Sequence, residues 1–106
     1  MQIEVLPNGD SQHLHVTLKG ELDALTAPKL YERLSQLVQS TPNLTQITLH
    51  CKELTYLSSA GAGILLMCMD NFSPKGITLS LVEVQPEVYN ILDLLGLTKL
   101  LPVNHA

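Results

Sequence analysis

Two adjacent hydroxyls, Ser58 and Ser59, stand where Leu54-Thr55-Tyr56-Leu57 gives way to Ala60-Gly61-Ala62-Gly63 and the apolar stretch Ile64 to Met69. The first run reads as a buried strand and the last as a helix, so both serines fall at a helix start. A hydroxyl there can accept a hydrogen bond from an orphan backbone N–H. The partial positive charge of the same helix end tolerates an anion such as a phosphoryl group. Small residues at 60–63 are expected to leave the surface around the hydroxyls low and open to another protein. The chemistry on offer is a docking face switched by covalent charge, with plain N-capping as the simpler reading of either serine.

Other constellations point to less. Gly61-Ala62-Gly63 follows a strand and opens a helix, but Leu66 replaces the third glycine of a dinucleotide fingerprint, and the helix starts before the glycines. Close packing of helix on sheet explains these residues better, so no cofactor is expected. His13, His15, His50 and His105 lack metal spacing, and no Cys or carboxylate pair completes a site. Ser59, His50 and Asp23 could be imagined as a hydrolytic triad. Yet nothing places a base beside the serine, and Leu57 stands where the Gly-x-Ser-x-Gly elbow needs glycine. Catalysis is not expected; a small hydrolase using Ser59 is the enzyme-class alternative. Cys51 and Cys68 are expected as two buried thiols.

The elements that must position the serines follow from periodicity. Ile3 to Leu6 and His13 to Lys19 form a predicted hairpin around Pro7-Asn8-Gly9-Asp10, with Leu14, Val16 and Leu18 alternating inward. Gly20-Glu21-Leu22-Asp23 reads as a loop expected to approach the serine-bearing helix start. Thr26 is expected to cap a helix with Pro28 in its first turn. Leu30, Leu34, Leu37 and Val38 share that helix's inner face. A strand with Ile47, Leu49 and Cys51 inward follows. The helix from Ser59 to about Met69 is apolar on nearly every face and is expected to be covered on several sides. Ile77 to Val84 is a strand. A third helix from Pro86 turns Val88, Ile91, Leu92 and Leu95 inward and ends at Gly96 in the left-handed conformation. Leu100 to Val103 is expected as a last strand. The order β-β-α-β-α-β-α-β implies an α/β class, a mixed sheet with helices packed on it.

At 106 residues the chain reads as one domain, 1–106, and its 45% hydrophobic residues can form a core without staples. No apolar run approaches the ~20 residues that span a bilayer, and no cleavable leader is visible, so a cytoplasmic location is expected. The net charge is -4 and the six bases (Lys19, Lys29, Arg33, Lys52, Lys75, Lys99) are scattered. No basic stripe or aromatic platform serves nucleic acid.

Three blocks in order resemble the STAS domain family along nearly the whole chain. They are Gly20-Glu21-Leu22-Asp23-Ala24-Leu25-Thr26-Ala27-Pro28-Lys29-Leu30, then Leu54-Thr55-Tyr56-Leu57-Ser58-Ser59-Ala60-Gly61, then Ile91-Leu92-Asp93-Leu94-Leu95-Gly96-Leu97. The resemblance implies an anti-sigma factor antagonist, a bacterial regulator of transcription that works by partner switching. Such a domain binds an anti-sigma factor that is also a serine kinase, and so releases the sigma factor. Phosphorylation of a serine at the start of the second helix dissolves the complex, and a phosphatase resets it. By position that serine is Ser59, with Ser58 as alternative acceptor; the implied partner face is Asp23, Ala24, Thr26, Ser58, Ser59, Ala60, Gly61 and Ala62.

The chain departs from the family pattern where Ser58 replaces the Asp that commonly precedes the serine, and where His50 ends the third strand. It also stops at Ala106 without the usual fourth helix. An apolar strip around Leu100, Leu101 and Val103 is therefore expected, for a partner or a weak homodimer to cover. The alternative role implied by the same family is a scaffold subunit of a lipid-trafficking ABC transporter, with no phosphorylation.

Overall fold

The computed structural model describes residues 1–6 and 10–105, so the expected turn at Pro7-Asn8-Gly9 lies outside the described residues. Five strands form one sheet in the order β1-β2-β3-β4-β5. They are β1 (Gln2–Leu6), β2 (His13–Leu22), β3 (Gln46–Leu57), β4 (Thr78–Val84) and β5 (Val103–His105). β1 pairs antiparallel with β2, and all later neighbours are parallel. Three helices connect the parallel strands: α1 (Ala27–Ser40), α2 (Ser59–Phe72) and α3 (Pro86–Leu94). The parallel strands lie side by side in chain order, so right-handed crossovers place all three helices on one face of the sheet. The α/β order is the expected one.

Alternation builds the core. Val16 and Leu18 of β2, Ile47, Leu49 and Cys51 of β3, and Leu79 and Leu81 of β4 are buried beneath the helices. Leu30, Leu34 and Val38 of α1 meet them, with Leu37 half-buried. Cys51 and Cys68 are buried and free, and burial pushes both thiols up to about 12, so they stay neutral.

Several expectations need correction. Gly20-Glu21-Leu22 is strand, because Gly20, Glu21 and Leu22 pair with Leu54, Tyr56 and Leu57 across a register shift; those backbone partners outweigh the local turn signal. Thr26 precedes α1 but makes no capping bond. The last strand is Val103–His105, since Leu97–Lys99 winds a 3-10 turn first. That turn draws Leu101 into the core, so the expected apolar strip is broken and only Leu100 of it is exposed. Leu95 is exposed because α3 ends at Leu94 and Gly96 adopts φ +80. With all helices in one layer, α2 is buried along Gly61, Ala62, Leu65, Cys68 and Phe72 only. Its Ala60, Gly63 and Met67 remain exposed.

Candidate functional site

The site lies at the carboxyl ends of β2 and β3. Ser58 is extended, at φ -90 and ψ 167, and its side chain accepts a hydrogen bond from Gly61 N at 3.1 Å. Its own N–H donates to Leu22 O at 3.0 Å. Ser58 is thus the N-cap of α2. Ser59 is the first helical residue, exposed, and its hydroxyl has no hydrogen-bond partner among the described residues. One serine holds the helix and its neighbour is left free. Ser58→Ala is expected to cost about 1 kcal/mol, the usual loss when a capping hydroxyl is removed; urea unfolding followed by circular dichroism checks it.

Leu22 O ties the β2–α1 loop to the same corner. An added Cβ on Gly61 would lie 2.5 Å from that oxygen, so only glycine lets α2 sit so close to β2. Gly61 and Ala62 are buried against the sheet, which corrects the expectation that they offer partner contacts. Ala60 and Gly63 are the small residues that face out.

Asp23 Oδ1 accepts from Leu25 N at 3.0 Å, Thr26 N at 3.1 Å and Thr26 Oγ1 at 3.1 Å. The single Thr26 hydroxyl proton is shared between Asp23 Oδ1 and Glu21 O, the latter nearer at 2.8 Å, and Thr26 Oγ1 accepts from Asp23 N at 2.9 Å. Hydrogen bonding from the Thr26 and Leu25 backbone holds the Asp23 carboxyl below its ordinary range. These two side chains shape the loop, and Ala24 and Leu25 are its exposed tip. Sequence reasoning passed over Leu25, although a leucine between a turn-forming Asp and Thr has no core to enter.

The imagined triad is not assembled. His50 sits on the helix-free face of the sheet, its Nε2 2.9 Å from His15 Nδ1 and its Nδ1 3.8 Å from a Glu83 carboxylate oxygen. His13 stacks on His15 at 4.1 Å and its Nε2 lies 2.7 Å from Thr48 Oγ1. Among the described residues no group of three or more His, Cys, Asp or Glu side chains could hold a metal ion.

This cluster has a pH signature. Burial, then the charges of His13 and His50, hold His15 below the ordinary 6.5, against a smaller opposing effect of Asp10. The unfolded imidazole therefore takes up a proton more readily than the folded one, and stability falls as pH drops below 6.5. Urea midpoints at neutral and mildly acidic pH are expected to show that loss, and His15→Gln to reduce it.

A second feature borders Ser59. A groove of about 510 Å³ opens between Thr55–Ser59 and α3, with Val88, Ile91, Leu94 and Leu95 on its far side. The paired leucines before Gly96 were its only sequence signal, masked by the expectation that Leu95 points inward.

The family model "STAS domain" matches residues 4–105. The anti-sigma F factor antagonist of Paenibacillus polymyxa is 31% identical over 90 residues, 85% of this chain and 76% of that one. Unphosphorylated SpoIIAA, an anti-sigma factor antagonist, superposes with a TM-score of 0.80 at 19% identity, over 96% of this chain and 87% of that one. Phosphorylated Bacillus SpoIIAA gives 0.71 at 18% identity, over 96% and 90%. No helix among the described residues is long and apolar enough to cross a membrane.

Proposed function

The chain belongs to the STAS domain family, and from that premise we propose that it is an anti-sigma factor antagonist switched by phosphorylation of Ser59. Unmodified, it holds an anti-sigma factor that is also a serine kinase, and the sigma factor is free. Modified, it lets go, until a phosphatase restores the hydroxyl. It acts as a binding module rather than an enzyme. One observation carries the reading: Ser59 is exposed at the start of α2 and its Oγ is unengaged among the described residues, while Ser58 does the capping.

Magnitudes support a switch that acts on the contact and not on the fold. A phosphoryl group brings about -1.5 to -2 charge. An exposed helix start stabilises it by only ~0.3–1 kcal/mol, too little to rebuild a domain. The same dianion caught inside a protein interface costs several kcal/mol in desolvation and repulsion. SpoIIAA, which keeps this fold both unphosphorylated and phosphorylated, is consistent with that division.

Ser58 in the place where Asp commonly precedes the phosphorylated serine favours a second reading, a scaffold subunit of a lipid-trafficking ABC transporter. Affinity capture with a tagged chain separates the two. A histidine-kinase-like ATPase that is captured by the wild type and lost with Ser59→Asp supports the antagonist. A transporter ATPase captured equally by both overturns it.

A further inference from the structure

We propose that the groove between the β3–α2 corner and α3 receives an apolar side chain of the same anti-sigma factor, flanked by a basic residue that meets Glu87. The inference rests on the reading of Ser59 given above. Ser59 itself lines the groove. A stable protein contact covers about 800 Å² of each partner, a disc about 16 Å in radius. A protein engaged at Ser59 therefore lies over the groove as well, and its surface decides what fills it.

The chemistry of the filling follows from the walls. Tyr56, Val88, Ile91 and the two leucines make the groove mainly apolar. Leu94 is 84% exposed and Leu95 46%, and water held against such side chains is released when an apolar anchor seats there. Among the described residues, Glu87 is the only charged side chain lining the groove. The bordering segments, residues 54–72 and 86–94, contain no Lys or Arg. The fixed charge at the rim is thus negative, and a basic residue is its complement.

Phosphorylation does not reward that basic residue enough to hold the complex. A rim pair with Glu87 stays in water and contributes little. The phosphate on the groove wall must lose water if the anchor stays, which costs far more. The anchor leaves.

Titration calorimetry and stopped-flow association with the anti-sigma factor kinase of the same cell test this. Leu94→Ser combined with Leu95→Ser is expected to weaken binding about 30-fold, the scale of an interface hot spot. Glu87→Lys is expected to slow association at low ionic strength, with the difference fading at high salt. Leu100→Ser, which removes a 56% exposed leucine away from the groove, is expected to stay within about twofold. Circular dichroism checks the fold, and Glu87→Lys decides the matter if the double variant misfolds. If the wild type binds and both groove variants bind as well as it does, the groove assignment is overturned while the Ser59 reading stands. If the wild type does not bind the kinase, both are overturned.

Discussion

Ser59→Asp is expected to bind the anti-sigma factor about 100-fold more weakly than the wild type, the scale of an unpaired charge placed in a protein contact. Its melting temperature is expected to stay within about 2 °C. The two outcomes share a cause. Ser59 Oγ makes no hydrogen bond among the described residues, so the fold has nothing to lose when the hydroxyl is replaced. A carboxylate in the first turn of α2 also sits well with the helix dipole, and α2 has no acidic residue there at present. The cost appears only when a partner excludes water from the charge. Calorimetric titration beside thermal unfolding checks the pair, with Ser59→Ala as the uncharged control expected to bind like the wild type. Equal affinities would remove the switch. A large drop in melting temperature would mean that the serine serves the fold.

Two glycines two positions apart are expected to respond to alanine with opposite signs. In Gly61→Ala the new Cβ meets Leu22 O at 2.5 Å and Leu22 C and Cγ at 3.0 Å. Two of those atoms are backbone, so α2 must lift away from β2. The cost is about 2–3 kcal/mol, in the range of overpacked cores, which for a domain of this size lowers the melting temperature by roughly 10 °C or more. Leu22 O also accepts the Ser58 N–H, so the same shift misplaces the corner that presents Ser59, and partner binding is expected to fall with stability. Gly63→Ala meets nothing within 4 Å. There alanine only removes backbone freedom in a helix, a gain of about 0.5–1 kcal/mol. Urea unfolding of the two variants side by side measures the contrast. A neutral Gly61→Ala would contradict the close seating of α2 on β2.

Much of this was legible because local and global signals agreed. The alternation Ile47-Leu49-Cys51, the inner face Leu30-Leu34-Val38 and the left-handed Gly96 all came out as the residue pattern indicates. Of Gly61, Ala62 and Gly63, all read as packing against the sheet, the first two do so, while Gly63 is exposed with open space beside it. What the pattern hid was decided by pairing at a distance. Gly20-Glu21-Leu22 carries turn-forming residues, yet β3 extends to Leu57 and supplies it with partners.

At the site, sequence could say that a helix begins near two serines. It could not say which hydroxyl turns inward to Gly61 N and which is left to solvent, because that depends on the single turn of backbone at Ser58. The resemblance marked Asp23, Ala24 and Thr26 for a partner. The hydrogen bonds of Asp23 and Thr26 to each other and to Leu25 and Glu21 are made inside the loop, which leaves the exposed tip to Ala24 and Leu25. The groove beside α3 was invisible for a similar reason. Whether Leu95 faces the core or the solvent turns on where the helix stops, and a one-residue difference reverses it.

The most direct test of the whole account is to incubate the chain with its kinase and ATP and locate the phosphate by fragment mass spectrometry. The expected result is one phosphate per chain, on Ser59, and none on a Ser59→Ala chain. Phosphate on Ser58, or a kinase that is active on other substrates yet leaves this chain unmodified, would contradict it.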